Sequence, residues 1–437
     1  MKLLSVKALG WMMAGLVAAS TGAWSLNVPH SVRRPKADQH LAQPHRAARG
    51  RAAARAEEPA AKAAPHAGKR KGRHSAEASI DAAPAGRRAG ARGRRKKIFN
   101  ERFTASSFAT GQTMGDVTTG EDPIIRQAAT EALGDMNGTA VVIDPSNGRI
   151  LTMVNQKLAL SPGAEPCSTI KITVAMAALS EGIVTRDTMV PLGGFRMNMT
   201  QALAHSNNLY FEALGRQLGF ERVHHYATQF GLGELAGYNI PGEQLGTYPE
   251  EEIPAKEGGV GRMCSFGQGI SLTPLQLGAY VSALANGGTL YYLQHPTTPE
   301  ELASFQPRVK RQLDIARYTP EMLDGMAGAV EFGTARRLRA SFQDFPVFGK
   351  TGTCSNNGTR FGWFASYVDA PQGRLVAVFF LEGGRPTFGP RAAELTGLFY
   401  KGLRDRDYFK TQQAQTAQPA AQSAPAAQPT VKPAIEQ

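Results

Sequence analysis

Residues 29–97 contain no Phe, Trp or Tyr, and beyond alanine their aliphatic side chains are Val32, Leu41 and Ile80. A stretch so poor in large apolar groups cannot bury enough surface to offset the entropy of ordering it, so it is expected to be a disordered linker. It also holds 19 Lys/Arg against 5 Asp/Glu, a net of +14 in a chain whose total is +13. Residues 98–437 carry 28 basic and 31 acidic side chains, a net of −3. A nucleic-acid-binding domain would display its positive charge on a structured face, so this distribution counts against a nucleic-acid partner. A flexible arm of this length spans on the order of 45 Å, enough to hold a near-neutral domain off a membrane while associating with anionic lipid or wall polymer.

The Gln/Ala/Pro-rich tail, residues 411–437, reads as disordered for the same compositional reason. Folded matter is thereby confined to residues 98–410, ample for a proper core. At the amino end, Lys2 and Lys7 precede the apolar run ALGWMMAGLVAA. That run has the length of a secretory signal core and is short for a spanning helix. Thr21, Ala23 and Ser25 suit cleavage, whereas Trp24 and Leu26 extend the apolar span, so residues 1–28 are either a signal peptide or a short anchor. Both place the remainder in the periplasm or on the extracytoplasmic face of an inner membrane. No Cys lies near this segment, which argues against a lipid-modified amino terminus. Cys167, Cys264 and Cys354 fit no zinc spacing and are too few for a disulfide framework. One bridge with one free thiol, or no bridge, are both open.

Within residues 98–410, Asp122-Pro123 before IIRQAATEAL and Gly134 marks a capped helix. Two β-branched runs flank the turn Pro145–Gly148, predicting a hairpin. From Ile170 to Leu179 the chain is apolar nearly all round, which predicts a helix running through the core. Glycine-terminated helices follow, and Thr273-Pro274 and Thr319-Pro320 are expected to cap two more. FPVFGKTGT, FGWFASYV and RLVAVFFL then read as three strands before a closing helix. Two early strands and three late ones predict an α/β (α+β) fold: one five-stranded antiparallel sheet flanked by helices, with a mostly helical second lobe.

Three motifs carry chemistry. Ser168-Thr169-Ile170-Lys171 places a hydroxyl and an amine on one helical face. A desolvated lysine can activate a serine that is otherwise a poor nucleophile. Taken alone, the pattern is equally a capping Ser with a solvated Lys. Ser206-Asn207-Asn208 falls between helices, where polar residues also serve as caps, and Lys350-Thr351-Gly352-Thr353 ends an apolar strand, where Lys also blocks edge pairing.

Ser-x-x-Lys, Ser-x-Asn and Lys-Thr-Gly in this order resemble the penicillin-binding protein and serine β-lactamase superfamily. ALAHSNNLYFEALGRQLG, FGLGELAGYNIPGEQLGTYP, SFGQGISLTPLQLGAYVSALANGG and VFGKTGTCSNNGTRFGWFASYV are similar to the transpeptidase domain of penicillin-binding proteins, over nearly all of residues 120–405. The resemblance implies a β-lactamase/transpeptidase-like fold and an enzyme, a serine-type D-Ala-D-Ala transpeptidase using no cofactor and no metal. Its partners would be peptidoglycan stem peptides, with β-lactams as covalent inhibitors.

By the same resemblance Ser168 would be the nucleophile, Lys171 its base, and Ser206 with Lys350 a proton relay to the leaving amine. Asn208 would hold Lys171 and the substrate amide. The N–H groups of Ser168 and Thr353 would form an oxyanion hole, and Thr351 and Thr353, beside Gly352, would receive the substrate carboxylate. If both oxyanion donors converge, Cys167 and Cys354 lie near each other and a disulfide between them becomes geometrically open. A β-lactamase or D,D-carboxypeptidase on the same scaffold is the alternative, and a non-catalytic β-lactam sensor or wall-binding scaffold a second. Against the family pattern, the path from Val154 to Ser168 is short, and cysteines flank two motifs. His224-His225 cannot share a helical face, GGVGRM lacks the setting of a nucleotide loop, and Glu250–Glu252 reads as a solvated loop.

Overall fold

The computed structural model describes residues 102–410; the expected leader (1–28), basic linker (29–97) and tail (411–437) lie outside the described residues. Helix α1 (Pro123–Leu133) is capped by the Asp122 carboxylate, which accepts from the N–H groups of Ile124 and Ile125. It leads into the hairpin of β1 (Gly138–Asp144) and β2 (Arg149–Val154). One helical turn, α2 (Gln156–Ala159), and a 3₁₀ turn at Cys167–Ile170 precede α3 (Lys171–Ser180). The helical lobe opens with a short ladder of β3 (Val190–Pro191) and β4 (Arg196–Met197). It continues through α4 (Met199–Ala204), α5 (Asn208–Leu218), α6 (Phe220–Gln229), α7 (Gly259–Phe266) and α8 (Pro274–Asn286). A second ladder, β5 (Thr289–Tyr291) with β6 (Val309–Gln312), brackets α9 (Pro299–Ala303). After α10 (Thr319–Glu331) come β7 (Val347–Asn356), β8 (Thr359–Ala370), β9 (Gly373–Gly383) and α11 (Gly389–Asp405).

The main sheet is antiparallel with order β2-β1-β9-β8-β7, as expected from the early and late strands. Its centre is covered on both faces, which is why β1, β8 and β9 read as continuous apolar runs rather than alternating ones. Val141, Ile143, Trp363, Val378 and Phe380 join one core with α3, α5 and α8. Ala140, Val142, Phe364, Phe379 and Leu381 join the other with Phe399 and Tyr400 of α11. The period-2 geometry of a strand sorts neighbouring residues into these two cores.

Helix α3 has every residue from Lys171 to Leu179 buried, so it runs through the core as its composition predicts. Its entry differs from the expected α-helix: Ser168 stands in the 3₁₀ turn, where residues three apart eclipse one another. The cap expectation holds at Thr273, whose side chain and that of Gln276 form a reciprocal capping box. It fails at Thr319, which is itself helical and whose hydroxyl donates to the Ile315 carbonyl. The turn before α10 already supplies acceptors for the N–H groups of Thr319 and Glu321, so little is left for a cap to satisfy.

Candidate active site

Both lysines of the motifs are fully buried, and their ammonium ends meet around one serine. Lys171 is carried by the first turn of α3, whose packing in the core buries the side chain completely. Its Nζ lies 2.8 Å from Ser168 Oγ, 2.9 Å from the Ser206 carbonyl, 3.2 Å from Ser206 Oγ and 2.6 Å from Asn208 Oδ1. Lys350, on β7, donates to Ser206 Oγ at 2.8 Å and to the Thr351 carbonyl at 3.0 Å. Neither lysine forms a salt bridge among the described residues.

Two like charges in a dry pocket with no carboxylate in contact cannot both persist. Burial lowers the Lys171 pKa well below the usual lysine range, and the neighbouring Lys350 charge adds to the effect against a smaller opposing pull from Glu212. Burial brings Lys350 down to about 7. Burial and the Lys350 charge thus both favour the neutral form of the Lys171 amine. As a neutral amine it has two N–H groups for Asn208 and the Ser206 carbonyl, and one lone pair to accept the Ser168 hydroxyl proton.

The Ser-x-Asn segment is placed by the break between α4 and α5. Ser206 sits at φ 55°, a left-handed kink that turns both its carbonyl and its hydroxyl toward Lys171. Asn207 caps α5 by accepting from the Tyr210 N–H, which leaves Asn208, the first residue of α5, to face Lys171. Ser168, Ser206 and Asn208 are half-buried, so the cluster opens to solvent on the serine side only.

Strand β7 is an edge of the sheet, so its backbone row facing away from β8 has no strand partner. A side chain at Gly352 would place its first carbon 2.8 Å from the Pro166 carbonyl, so glycine is what lets the strand approach the Ser168 turn. Across this approach Cys167 and Cys354 are joined in a disulfide, with Cα atoms 5.5 Å apart. Cys264 is a buried free thiol.

Thr351 donates to Thr334 Oγ1 at 2.7 Å, and Thr353 Oγ1 accepts from the Gly389 N–H at 2.8 Å. Both hydroxyls thus already have protein partners, and the Thr353 hydroxyl keeps its proton free for another acceptor. Beyond them lies a cavity of about 370 Å³ lined by His205, Phe332, Thr334, Arg336, Arg337 and Phe388. Thr334 and this cavity had no sequence signal, because α10 and β7 must pack before Thr334 meets Thr351. Of the residues set aside, His224 packs edge-on against Tyr248, GVGRM starts α7, and Glu250–Glu252 is exposed.

The family model of the penicillin-binding protein transpeptidase domain matches residues 138–396, more than half of the chain, and the chain belongs to this family. It is 31% identical over 257 residues to the stage V sporulation protein D of Bacillus subtilis, covering 49% of this chain and 39% of that protein. It is 25% identical over 350 residues to the peptidoglycan D,D-transpeptidase MrdA of Acinetobacter baumannii, covering 62% of this chain and 51% of that one. The chain thus spans about half or less of the length of these relatives. In fold it is similar to the transpeptidase domain of penicillin-binding protein 3 from Burkholderia pseudomallei, with a TM-score of 0.56, 20% identity, and coverage of 66% of this chain and 96% of that one.

Proposed function

We propose that the chain is a serine-type D,D-transpeptidase acting on peptidoglycan stem peptides and acylated by β-lactams. The observation that carries this reading is the Lys171 amine, driven toward neutrality by burial and Lys350, at 2.8 Å from the Ser168 hydroxyl. Ser168 Oγ bonds to the carbonyl carbon before the terminal D-Ala as its proton passes to Lys171 Nζ. The tetrahedral oxyanion is received by the N–H groups of Ser168 and Thr353. The C–N bond then breaks, and the departing amine takes a proton through Ser206, which lies between the two lysines. An acceptor amine attacks the resulting ester, forms the cross-link and returns Ser168 to its hydroxyl form. Thr353, whose hydroxyl proton is free, receives the substrate's terminal carboxylate beside the Lys350 charge, with Thr351 joining it once its hydroxyl turns from Thr334, and Asn208 holds Lys171 and the substrate amide.

A fluorescent penicillin should label the wild-type chain and leave Ser168→Ala unlabelled; labelling that persists in the variant removes Ser168 as nucleophile. The adduct should outlast minutes, whereas its hydrolysis within seconds would assign a β-lactamase.

The leader-like residues 1–28 support an extracytoplasmic location, and the charge of residues 29–97 supports attachment of that arm to anionic lipid or wall polymer. Among the described residues no helix is long and apolar enough to cross a membrane. Membrane association that survives deletion of residues 29–97, or that is indifferent to salt, would reject the role of the arm.

A further inference from the structure

We propose that the Cys167–Cys354 disulfide is a positioning device for the oxyanion hole, acting through the peptide plane that carries the Ser168 N–H. The inference rests on the function proposed above and concerns two residues outside its catalytic set.

Cys167 immediately precedes Ser168, and Cys354 immediately follows Thr353. The bridge therefore spans the gap that a reacting carbonyl oxygen has to enter, between the serine turn and the edge strand. The two elements come from positions 187 residues apart. Packing also joins them: Gly352 closely approaches the Pro166 carbonyl, and from the neighbouring β8 the Trp363 indole N–H donates to the Glu165 carbonyl at 3.0 Å.

The backbone gives the bridge a specific action. Cys167 stands at φ 52°, in the left-handed region that favours glycine. A non-glycine residue keeps such a conformation only where its surroundings over-determine it, and Cys167 is fully buried and covalently held. The backbone angles of residue 167 orient the peptide plane between 167 and 168, and the N–H in that plane belongs to Ser168. Released from Cys354, residue 167 can relax toward negative φ, which rotates the Ser168 N–H away from the point where Thr353 also aims. Preorganised donors stabilise a developing oxyanion only while they hold that aim. Lys171 and Lys350 reach Ser206 through other contacts, so their titration should not follow the bridge.

The experiment uses the full chain in three forms: oxidised wild type, wild type reduced with a dithiol, and Cys167→Ala/Cys354→Ala. Two quantities are read: the second-order rate of acylation by a fluorescent penicillin across pH, and amide exchange by mass spectrometry. In the reduced and double-alanine forms, acylation should slow about tenfold or more, with the shape of its pH dependence unchanged, and reoxidation should restore the wild-type rate. Exchange should rise within residues 165–171 and 350–356 and stay level in α8 and α11. Unchanged acylation, or a slowing with exchange raised throughout the domain, would overturn the positioning role. If no form is acylated, the transpeptidase reading fails on its own. The exchange pattern then still decides whether the bridge orders the two segments: a local rise supports it and a flat profile rejects it.

Discussion

The domain buries two clusters of ionisable side chains that follow opposite rules. Around Glu121, each carboxylate meets cationic or neutral donors. Its oxygens accept from Arg126, Thr152 and the Met153 N–H, with His295 at 3.1 Å, while Arg126 also pairs with Asp116 at 2.6 Å. Around Ser206, two lysines face each other across a hydroxyl with no carboxylate in contact. The first cluster ties the segment before α1 to β2 and has nothing left to offer a ligand. The second leaves an amine and a hydroxyl unbalanced at the edge of solvent. Matched charges hold a structure together; mismatched ones store reactivity, because the fold keeps a base from the water that would otherwise protonate it.

The largest expected effect separates the two clusters outright. Lys171→Met should lower penicillin acylation by about 10⁴-fold, as loss of a member of a nucleophile–base pair does. It should leave the melting temperature level or raised, since an unmatched buried amine is replaced by an apolar chain. A lowered melting point would show that Lys171 is structural. Arg126→Met should do the reverse. Leaving Glu121 and Asp116 without their cation should cost about 3–5 kcal/mol of stability in urea titrations, with the acylation rate of the folded protein unchanged.

Next comes Lys350→Gln, which should slow acylation about 10²-fold by removing the charge that depresses Lys171 and serves Ser206. The pH responses sharpen the contrast. Acylation by the proposed route needs Lys171 neutral and Lys350 charged, so its rate should fall as pH rises through about 7, far below the usual lysine range. A plateau extending past pH 9 would contradict a need for the charged Lys350.

For stability, a depressed lysine binds fewer protons when folded than unfolded. The wild-type chain should therefore lose stability as pH falls from 10.5 toward about 7, and Lys350→Met should flatten that slope. Glu121 responds at the other end. Burial would raise its pKa, but hydrogen bonds from His295 and Thr152 and the Arg126 charge outweigh it and lower the value. Its contribution is present above 4.5 and lost as pH falls through its depressed folded value. The smallest effect expected is that of Thr334→Val, which removes the acceptor of the Thr351 hydroxyl. A shift of about 1 kcal/mol, or roughly fivefold in acylation by carboxylate-bearing substrates, should be seen.

Much of this was legible in the residues. The Asp122 and Thr273 caps, the hairpin turn at Pro145–Gly148 and the all-apolar Ile170–Leu179 run are local signals, set by backbone hydrogen bonding and side-chain period within a few positions. The motif residues were legible as chemistry, since Ser168 and Lys171 lie within one turn of each other. Their mutual arrangement was not. Ser206 reaches both lysines only because α5 packs on α3 and β7 closes the sheet edge, contacts that cross up to 144 positions. Thr319 shows the same limit on a smaller scale: a cap-like dipeptide loses its role when the preceding turn already satisfies the N–H groups.

The sequence alone determined where a core could form, the five strands of the main sheet with the long helices around it, and which side chains carried reactive groups, because composition and local period decide those. Tertiary structure decided that two lysines would share a pocket without a counter-charge, that Thr351 would lean on Thr334, and that Cys167 and Cys354 would close over the serine turn. Burial and long-range packing set those properties, and neither is a property of any short stretch of chain.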